Sequence, residues 1–307
     1  MNTKMASNRL SERLVAGLVA FALAGACNAA DIVTAAGTVT VEKTPEKIAV
    51  FDIAAIDTLD ALGVKPDGIP SNLYLPELEH LKDGAAVVGD IFEPDLESLS
   101  ELAPDLIIVG GRTSARAEAA AKVAPTIDMT MDGDGLLQEA RERLTAYGVL
   151  FGKEAEANAA AKALDAAVEK ARAAAAGQGK ALIIMTNGPK VTAYGPGSRF
   201  GWVHSALDLP PAVPDVEAAN HGEAISFEFI RAANPDWLLV LDRAAAIGSE
   251  DQGARTTLGN ELVAETTAWK RGQVIYLPAG DLYIAAGGVQ ALHRVFTALS
   301  DAFAKAQ

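Results

Sequence analysis

Two segments of the chain repeat one pattern of apolar and polar positions. Residues 96–112 read LESLSELAPDLIIVGGR and residues 227–243 read FEFIRAANPDWLLVLDR. Each segment has an apolar residue, a Glu, a short amphipathic stretch, Pro-Asp, an apolar run and an Arg. In both copies the Glu lies seven residues before the proline, and the Arg lies eight residues after it. The matching offsets indicate one structural unit that occurs twice.

The spacing of apolar residues predicts a short helix at the start of each unit. In the first copy Leu96, Leu99 and Leu102 recur at helical spacing, as Phe227 and Ile230 do in the second. Proline cannot continue a helix and favours an extended residue before it. We therefore expect the two helices to end at the residues before the prolines, which are Ala103 and Asn234.

The apolar runs 106–109 and 237–241 predict strands that are buried on both faces. They are too short to cross a membrane, and their length suits strands of a parallel sheet between helices. Arg112 and Arg243 then fall at the carboxyl ends of their strands, where open α/β sheets bind ligands. A single helix-Pro-Asp-strand segment would be interpreted as a common connector of α/β proteins whose charged residues are solvated. Two copies with the same offsets favour two homologous lobes.

The remaining pattern completes an α/β architecture with two lobes. Strands are predicted at residues 38–41, 47–51, 64–69, 85–89, 126–129, 181–185 and 274–277, and helices at 54–62, 114–123, 135–151 and 287–303. The Ala-rich stretch 153–176 lacks Gly and Pro and predicts a helix about 36 Å long. The predicted domains are an N-terminal lobe at 31–152, this rigid connecting helix at 153–176 and a C-terminal lobe at 177–307. Each lobe is expected to contain a mainly parallel sheet.

Residues 1–30 predict a secretory signal, with three basic residues before the apolar run 14–26. Cleavage near Ala29 or Ala30 would release an exported protein without a membrane anchor. Cys27 leaves a lipoprotein open as the alternative. It is the only cysteine, so no intramolecular disulfide and no thiol-based metal site is expected.

Net charge and missing motifs narrow the classes of function. A formal net charge of -14 argues against nucleic acid or an anionic membrane as partner, but not against a small anion bound by local cations. The glycine-rich loop 193–201 could offer N–H groups to an anion, although the chain contains no P-loop for ATP. An exported hydrolase or metal enzyme is the competing class. The sequence has neither G-x-S-x-G nor H-E-x-x-H, and its four histidines lie far apart.

With its signal, two repeated units and long helix, the chain from about Val39 onward resembles the substrate-binding proteins of iron-siderophore and cobalamin ABC importers. It is most similar to the subgroup that binds ferric catecholate siderophores. The residues that carry this closer resemblance are Arg112 in VGGRTS, Arg199 in GPGSRFG, His221 in NHGEAIS, Arg243 in VLDRAA and Tyr283 in AGDLYIAAGG.

The resemblance implies a binding protein without an intrinsic cofactor, not an enzyme. The three arginines would hold an anionic ferric chelate, a role that suits a permanently charged guanidinium with forked donors. His221 and Tyr283 would be iron(III) ligands where the siderophore supplies too few. Tyr74 in SNLYLPE is not part of that resemblance; its position near the expected rim of the cleft makes it a further candidate for contact with the ligand.

The resemblance also implies the partners and the compartment. Glu97 and Glu228 would dock on arginines of an ABC permease in the inner membrane. The protein would act as a monomer in the periplasm. The stiff connecting helix predicts a small closure of the lobes. The alternative ligands for the same fold are haem, cobalamin or another metal chelate, which an apolar, aromatic-rich cleft would favour.

Overall fold

The computed structural model describes residues 29–131, 133 and 135–305. The predicted export signal and Cys27 therefore lie outside the described residues, apart from Ala29 and Ala30. In chain order the first lobe contains β1 (Ala30–Thr34), β2 (Gly37–Val41), β3 (Ile48–Val50), α1 (Ile53–Ala61), β4 (Gly68–Ile69), β5 (Ala86–Val87), α2 (Leu96–Leu102), β6 (Leu106–Val109), α3 (Ala117–Ala120), β7 (Thr126–Asp128) and α4 (Leu136–Phe151). Two 3-10 turns occur at Pro76–Lys82 and Ser114–Arg116.

The five-stranded sheet of the first lobe is parallel throughout, with strand order β5-β4-β3-β6-β7, and β1 and β2 form a separate two-stranded antiparallel sheet. The chain leaves the central strand β3 towards β4 on one side and returns to β6 on the other. Such a reversal opens a crevice outside the carboxyl ends of the two central strands. The first lobe therefore carries the crevice between β3 and β6.

The second lobe follows the long helix α5 (Glu154–Ala175). Its elements are β8 (Ala181–Asn187), β9 (Lys190–Tyr194), α6 (Trp202–Leu207), β10 (Glu223–Ile225), α7 (Phe227–Ala233), β11 (Trp237–Asp242), α8 (Arg243–Ala246), α9 (Ala254–Leu258), α10 (Glu261–Ala264), α11 (Thr267–Lys270), β12 (Val274–Tyr276), α12 (Ala279–Tyr283) and α13 (Val289–Lys305). The strand order is β10-β9-β8-β11-β12.

Only half of the second sheet is parallel, so the expectation of a mainly parallel sheet is met fully in the first lobe alone. Strands β8, β11 and β12 pair in parallel, whereas β9 and β10 pair antiparallel. The cause is local: Gly188, at φ +55, and Pro189 form a two-residue turn between β8 and β9. A turn that short joins only antiparallel neighbours. The sequence pattern missed both β9 and β10.

The repeated unit has the same structure in both lobes. Helices α2 and α7 are capped by the side chains of Asp95 and Ser226, and they end at Ala103 and Asn234 as predicted. These two residues are left-handed, at φ 49 and φ 38, rather than extended. The left-handed cap turns the chain sharply from the helix into the Pro-Asp pair and the following strand.

The aspartate of each Pro-Asp pair ties its strand to the central strand of the sheet. Asp105 accepts hydrogen bonds from the backbone N–H of Glu46 and Lys47, just before β3. Asp236 accepts one from the N–H of Lys180, just before β8. In both lobes the aspartate of the Pro-Asp pair thus holds the start of its own strand next to the start of the central strand.

Several boundaries differ from the sequence-based expectations. The predicted strand 64–69 is reduced to β4, and the predicted helix 114–123 splits into a 3-10 turn and α3. Residues 278–283, expected as a loop, include helix α12. Helix α5 covers nearly all of the expected connecting helix, at about 33 Å. It packs on α4, α6 and α13, and one apolar cluster runs through both lobes along these helices.

A buried ionic cluster joins the first lobe to the end of the chain. Arg294 of α13 donates to both carboxylate oxygens of Asp281 in α12, and its Nη2 donates to Asp57 of α1 at 2.9 Å. Asp57 is fully buried and also accepts the backbone N–H of Gln290 and Ala291, which caps the first turn of α13. We call Asp57, Asp281 and Arg294 the clasp.

The clasp carboxylate in α1 is ionised at neutral pH although it is buried. Burial raises the pKa of Asp57 to about 6, while the hydrogen bonds from α13 and the charge of Arg294 lower it. A buried charge is tolerated only when it is paired and hydrogen-bonded. The N–H groups of α13 and the guanidinium of Arg294 therefore offset the cost of burying this carboxylate.

We expect Asp57→Ala to lower the free energy of unfolding by about 3 kcal/mol, because it leaves Arg294 with one partner and uncaps α13. Urea unfolding of the purified protein measures the change. Asp301→Ala is the control, since it breaks an exposed ion pair with Lys170 and should cost less than about 1 kcal/mol. Equal losses in the two variants would mean that apolar packing alone holds α13.

Candidate functional site

A cleft of about 460 Å³ lies between the two lobes. It is lined from the first lobe by Asp52, Gly111, Arg112, Thr130, Met131, Gly133 and Leu136. From the second lobe it is lined by Arg199, Asn220, His221, Tyr283, Ile284 and Ala286. Of the described carboxylate side chains only that of Asp52 belongs to this lining. Two of the three predicted arginines, Arg112 and Arg199, line the cleft, whereas Arg243 reaches it through the lining residue Tyr283.

The first lobe presents two opposite charges at its crevice. Asp52 follows β3 and caps α1 by accepting the N–H of Ala54, whereas Arg112 follows β6. The turn after β6 is held by a hydrogen bond from the Gly111 N–H to Thr130 Oγ1. Both side chains therefore stand where the strand order reverses, as the parallel topology requires.

The second lobe contributes Arg199 from a loop and Arg243 from the end of a strand. Arg199 belongs to the glycine-rich loop between β9 and α6, which is folded tightly: a Cβ on Gly201 would lie 2.1 Å from the carbonyl oxygen of Gly195. Arg243 directly follows β11, and its Nη1 donates to Oδ1 of Asn187 at the end of β8. The repeat thus places Arg243 at a strand end, as the sequence predicts.

The three arginines converge on a single residue, Tyr283. Arg112 and Arg199 each donate an Nη2–H to its backbone carbonyl, at 2.8 and 3.0 Å. Arg243 donates its Nε–H to the phenol oxygen at 3.0 Å. The guanidinium carbons lie 5.2, 4.8 and 5.7 Å from the centre of the tyrosine ring for Arg112, Arg199 and Arg243. Tyr283 therefore holds positive charge from both lobes in one place.

This environment alters the acidity of the site. Burial would raise the pKa of Tyr283, but the Arg243 hydrogen bond and the charges of Arg243, Arg199 and Arg112 outweigh it, so the pKa lies below its usual value. Burial and then the nearby charge of Arg112 lower the pKa of Arg199. A phenol that loses its proton more easily is a better oxygen ligand for a hard cation such as iron(III).

The other predicted residues occupy different surroundings. His221 lines the same cleft, is exposed, and its carbonyl accepts a hydrogen bond from the Tyr194 hydroxyl. Tyr74 is left-handed at φ 62 and lies beside α12, where its carbonyl is near Gly280. It is not among the described residues that line the cleft, so its contact with a ligand stays a prediction.

Glu97 and Glu228 occupy matching positions outside the cleft. Each is the second residue of its helix, α2 or α7, and each is exposed. The backbone of its own helix and the Ser226 side chain lower the pKa of Glu228, which keeps that carboxylate charged. The two lobes therefore each present one solvent-facing negative charge at the same place in the repeat.

The sequence pattern did not identify Asp52 as a candidate site residue. The signal available was its place in FDIA, where an acidic residue follows a buried strand and precedes a helix. Burial raises its pKa to about 6, although the Ala54 N–H and the charge of Arg112 lower it. Its position in the cleft makes it a further candidate for contact with a ligand.

Two absences hold for the part of the chain that the structure describes. In that part no three His, Cys, Asp or Glu side chains come together as a group able to hold a metal ion. Nor does any helix there combine the length and apolar character needed to cross a membrane.

Comparison with known proteins agrees with this architecture. Residues 48–280 match the periplasmic binding protein family, and the chain belongs to that family. It is a binding protein and not an enzyme, as the sequence predicts. The petrobactin-binding protein of Bacillus subtilis is 34% identical over 269 residues, which cover 86% of this chain and 84% of the relative. The ferric-anguibactin-binding protein of Vibrio anguillarum is 30% identical, with 83% and 82% covered.

Solved structures show the same two-lobed arrangement. The petrobactin-binding protein of Bacillus subtilis superposes with a TM-score of 0.84 at 32% identity, covering 90% of this chain and 99% of that one. The periplasmic catecholate-siderophore binding protein of Vibrio cholerae superposes with a TM-score of 0.82 at 30% identity, covering 89% and 100%. The predicted family and two-lobed α/β fold are thereby confirmed.

We expect Tyr283 to lose its proton at a lower pH than an ordinary tyrosine, because the cations around it stabilise the phenolate. An ultraviolet titration of tyrosinate should show an early step, below the usual value of 10.0, that disappears in Tyr283→Phe. Arg243→Gln should move that step to higher pH.

Arg255→Gln is the matched control for this titration, because Arg255 lies over the ring of Tyr276, 4.0 Å from its centre. It should leave the early step unchanged. An early step that persists in Tyr283→Phe would contradict the assignment.

Proposed function

We propose that this protein is the periplasmic solute-binding component of an ABC importer and binds a ferric siderophore of the catecholate type in the cleft. The observation that carries the proposal is the convergence of three arginines from both lobes on Tyr283. Two relatives named for siderophore or ferric-siderophore binding support it, as does a catecholate-siderophore binding neighbour.

The charge of the cleft suits an anionic chelate. The hydrogen bonds of the three guanidinium groups go to Tyr283 and Asn187, which are not carboxylates, so their positive charge is left for a ligand. The whole chain has a net charge of -14, which makes this a local positive site on a negative protein. Low-dielectric cleft walls strengthen such a field and attract an anion into it.

Iron(III) is the cargo and enters as the chelate. Tyr283 and His221 line the same cleft and are the proposed protein ligands when a siderophore leaves iron positions open. The lowered pKa of Tyr283 favours phenolate coordination. Since Arg243 donates to the same phenol oxygen, it would keep that oxygen oriented while the oxygen binds the metal.

The protein is proposed to work with a permease in the inner membrane. Glu97 and Glu228, at equivalent exposed positions of the two lobes, are the proposed docking residues. Export by the N-terminal signal would bring the chain to the periplasm, released from the membrane or held through a lipid on Cys27. We propose that it acts there as a monomer.

The proposal is tested by titrating the tryptophan fluorescence with a ferric bis-catecholate, a ferric tris-catecholate, a ferric hydroxamate, haemin and cobalamin. The triple variant Arg112→Gln, Arg199→Gln and Arg243→Gln should weaken catecholate binding by about 3 kcal/mol or more, which is over a hundredfold. The bis-catecholate complex should show a new charge-transfer band that Tyr283→Phe removes.

The matched control changes three arginines outside the cleft to Gln: Arg116, Arg141 and Arg255. Arg116 and Arg141 pair with exposed carboxylates, and Arg255 stacks on Tyr276, so catecholate affinity should not change. Undiminished catecholate binding by the cleft triple variant would refute the site. A response only to haemin or cobalamin would keep the transport role and replace the ligand.

Reversal of both docking charges, Glu97→Lys with Glu228→Lys, should abolish ligand-dependent stimulation of the permease ATPase in proteoliposomes. Ferric catecholate affinity should stay at the wild-type value, because both residues lie outside the cleft lining. The control reverses Glu154 and Glu169, two exposed charges of α5. If both pairs reduce stimulation equally, net charge rather than docking explains the effect.

A further inference from the structure

The acidic side chain in the cleft needs an explanation, because the proposed ligand is an anion. Asp52 lines the cleft together with Arg112 and Arg199. A carboxylate near an anionic chelate is repulsive, and specificity is often built from such repulsion. A ligand that also carries a positive charge would turn this repulsion into an attraction.

The start of α1 and the chain after β6 hold the Asp52 carboxyl in place. One oxygen accepts the Ala54 N–H at 3.2 Å, as the cap of α1. The chain after β6 passes so close that a Cβ on Gly110 would lie 2.7 Å from the other oxygen. The glycine is thus required at this point, and the carboxyl stays at the crevice between β3 and β6.

The second lobe provides an internal comparison. There the residue at the end of the central strand β8 is Asn187, a neutral amide that holds Arg243 through a 3.1 Å hydrogen bond. In the first lobe the arginine is held by the carbonyl of Tyr283 instead, and among the described residues no side chain hydrogen-bonds Asp52. Asp52 is therefore not needed as the hydrogen-bond partner of Arg112.

The charge state of Asp52 supports a role in binding. Burial raises its pKa to about 6, so the carboxyl is mostly ionised at pH 7. Among the described residues Asp52 forms no salt bridge, although the charge of Arg112 acts on it, so a further cation that enters the cleft would stabilise its ionised form. A ligand nitrogen that carries a proton would supply that cation and a hydrogen bond together.

We infer that Asp52 is a second recognition point of the cleft, which binds a protonated amine carried by the siderophore outside its iron-binding groups. The ligand class is then a zwitterion: an anionic ferric catecholate centre that faces the arginines, and a cationic amine in its linker that faces Asp52. This inference rests on the proposed function, since it names the chemistry of the ligand for the same cleft.

The test uses two synthetic ferric bis-catecholates that differ only at one linker nitrogen, a secondary amine in one and its N-acetyl derivative in the other. Affinities at pH 7 are measured by tryptophan quenching. Wild-type protein should prefer the amine by about tenfold, which corresponds to about 1.4 kcal/mol. Asp52→Asn should abolish the preference without weakening the N-acetyl ligand, while Asn still caps α1.

Asp95→Asn is the matched control, because Asp95 caps α2 in the same way but does not line the cleft. It removes one negative charge and should retain the tenfold preference. Three results would overturn the inference. They are no preference for the amine in the wild type, an unchanged preference in Asp52→Asn, or an equal loss of affinity for both ligands in that variant. The last would assign Asp52 to the support of Arg112.

Failure of the proposed function gives a different result. Wild-type protein would then bind neither bis-catecholate, and it would also fail with the ferric tris-catecholate, which has no iron position for the protein to fill. Binding of the tris-catecholate with no difference between the two bis-catecholates would keep the receptor function and refute only the role of Asp52.

Discussion

The buried carboxylate of Asp57 sets the arrangement of the rest of the molecule. It lies in the first lobe, yet the groups that solvate it are the N–H groups at the start of α13 and the guanidinium of Arg294. Arg294 in turn holds Asp281, two residues before Tyr283. Since an unpaired buried charge is costly, α12 has little freedom to move away from the first lobe. Helix α12, which carries Tyr283, is thus tied to the first lobe through the clasp while it also packs on α8 and β11 of the second lobe.

The charges of the cleft, unlike those of the clasp, are not fully compensated by protein groups. In the clasp every charge is compensated by protein groups, whereas in the cleft positive groups from both lobes face one tyrosine and repel one another. Such an arrangement lowers stability unless an anion joins it. The binding energy of a ligand is then gained partly from relief of this repulsion. The charge of Asp52, which acts on Arg112, offsets part of this repulsion.

The repeat made much of the fold predictable, because its information is local. Helices α2 and α7 and strands β6 and β11 followed from apolar spacing and proline, and so did the strand-end positions of Arg112 and Arg243. Arg199, His221 and Tyr283 lie in segments without periodicity, so only a resemblance pointed to them. The clasp could not be predicted, since its partners are 237 residues apart. Helix α12 has five residues and showed too little pattern to be distinguished from a loop.

The clasp also orders the folding of the chain. The first lobe includes Asp57, but the helix that covers this carboxylate is the last one in the sequence. Contacts over such a separation form late, because a long segment of chain must first be closed. A polypeptide that still lacks residues 289–305 therefore keeps its first lobe incomplete.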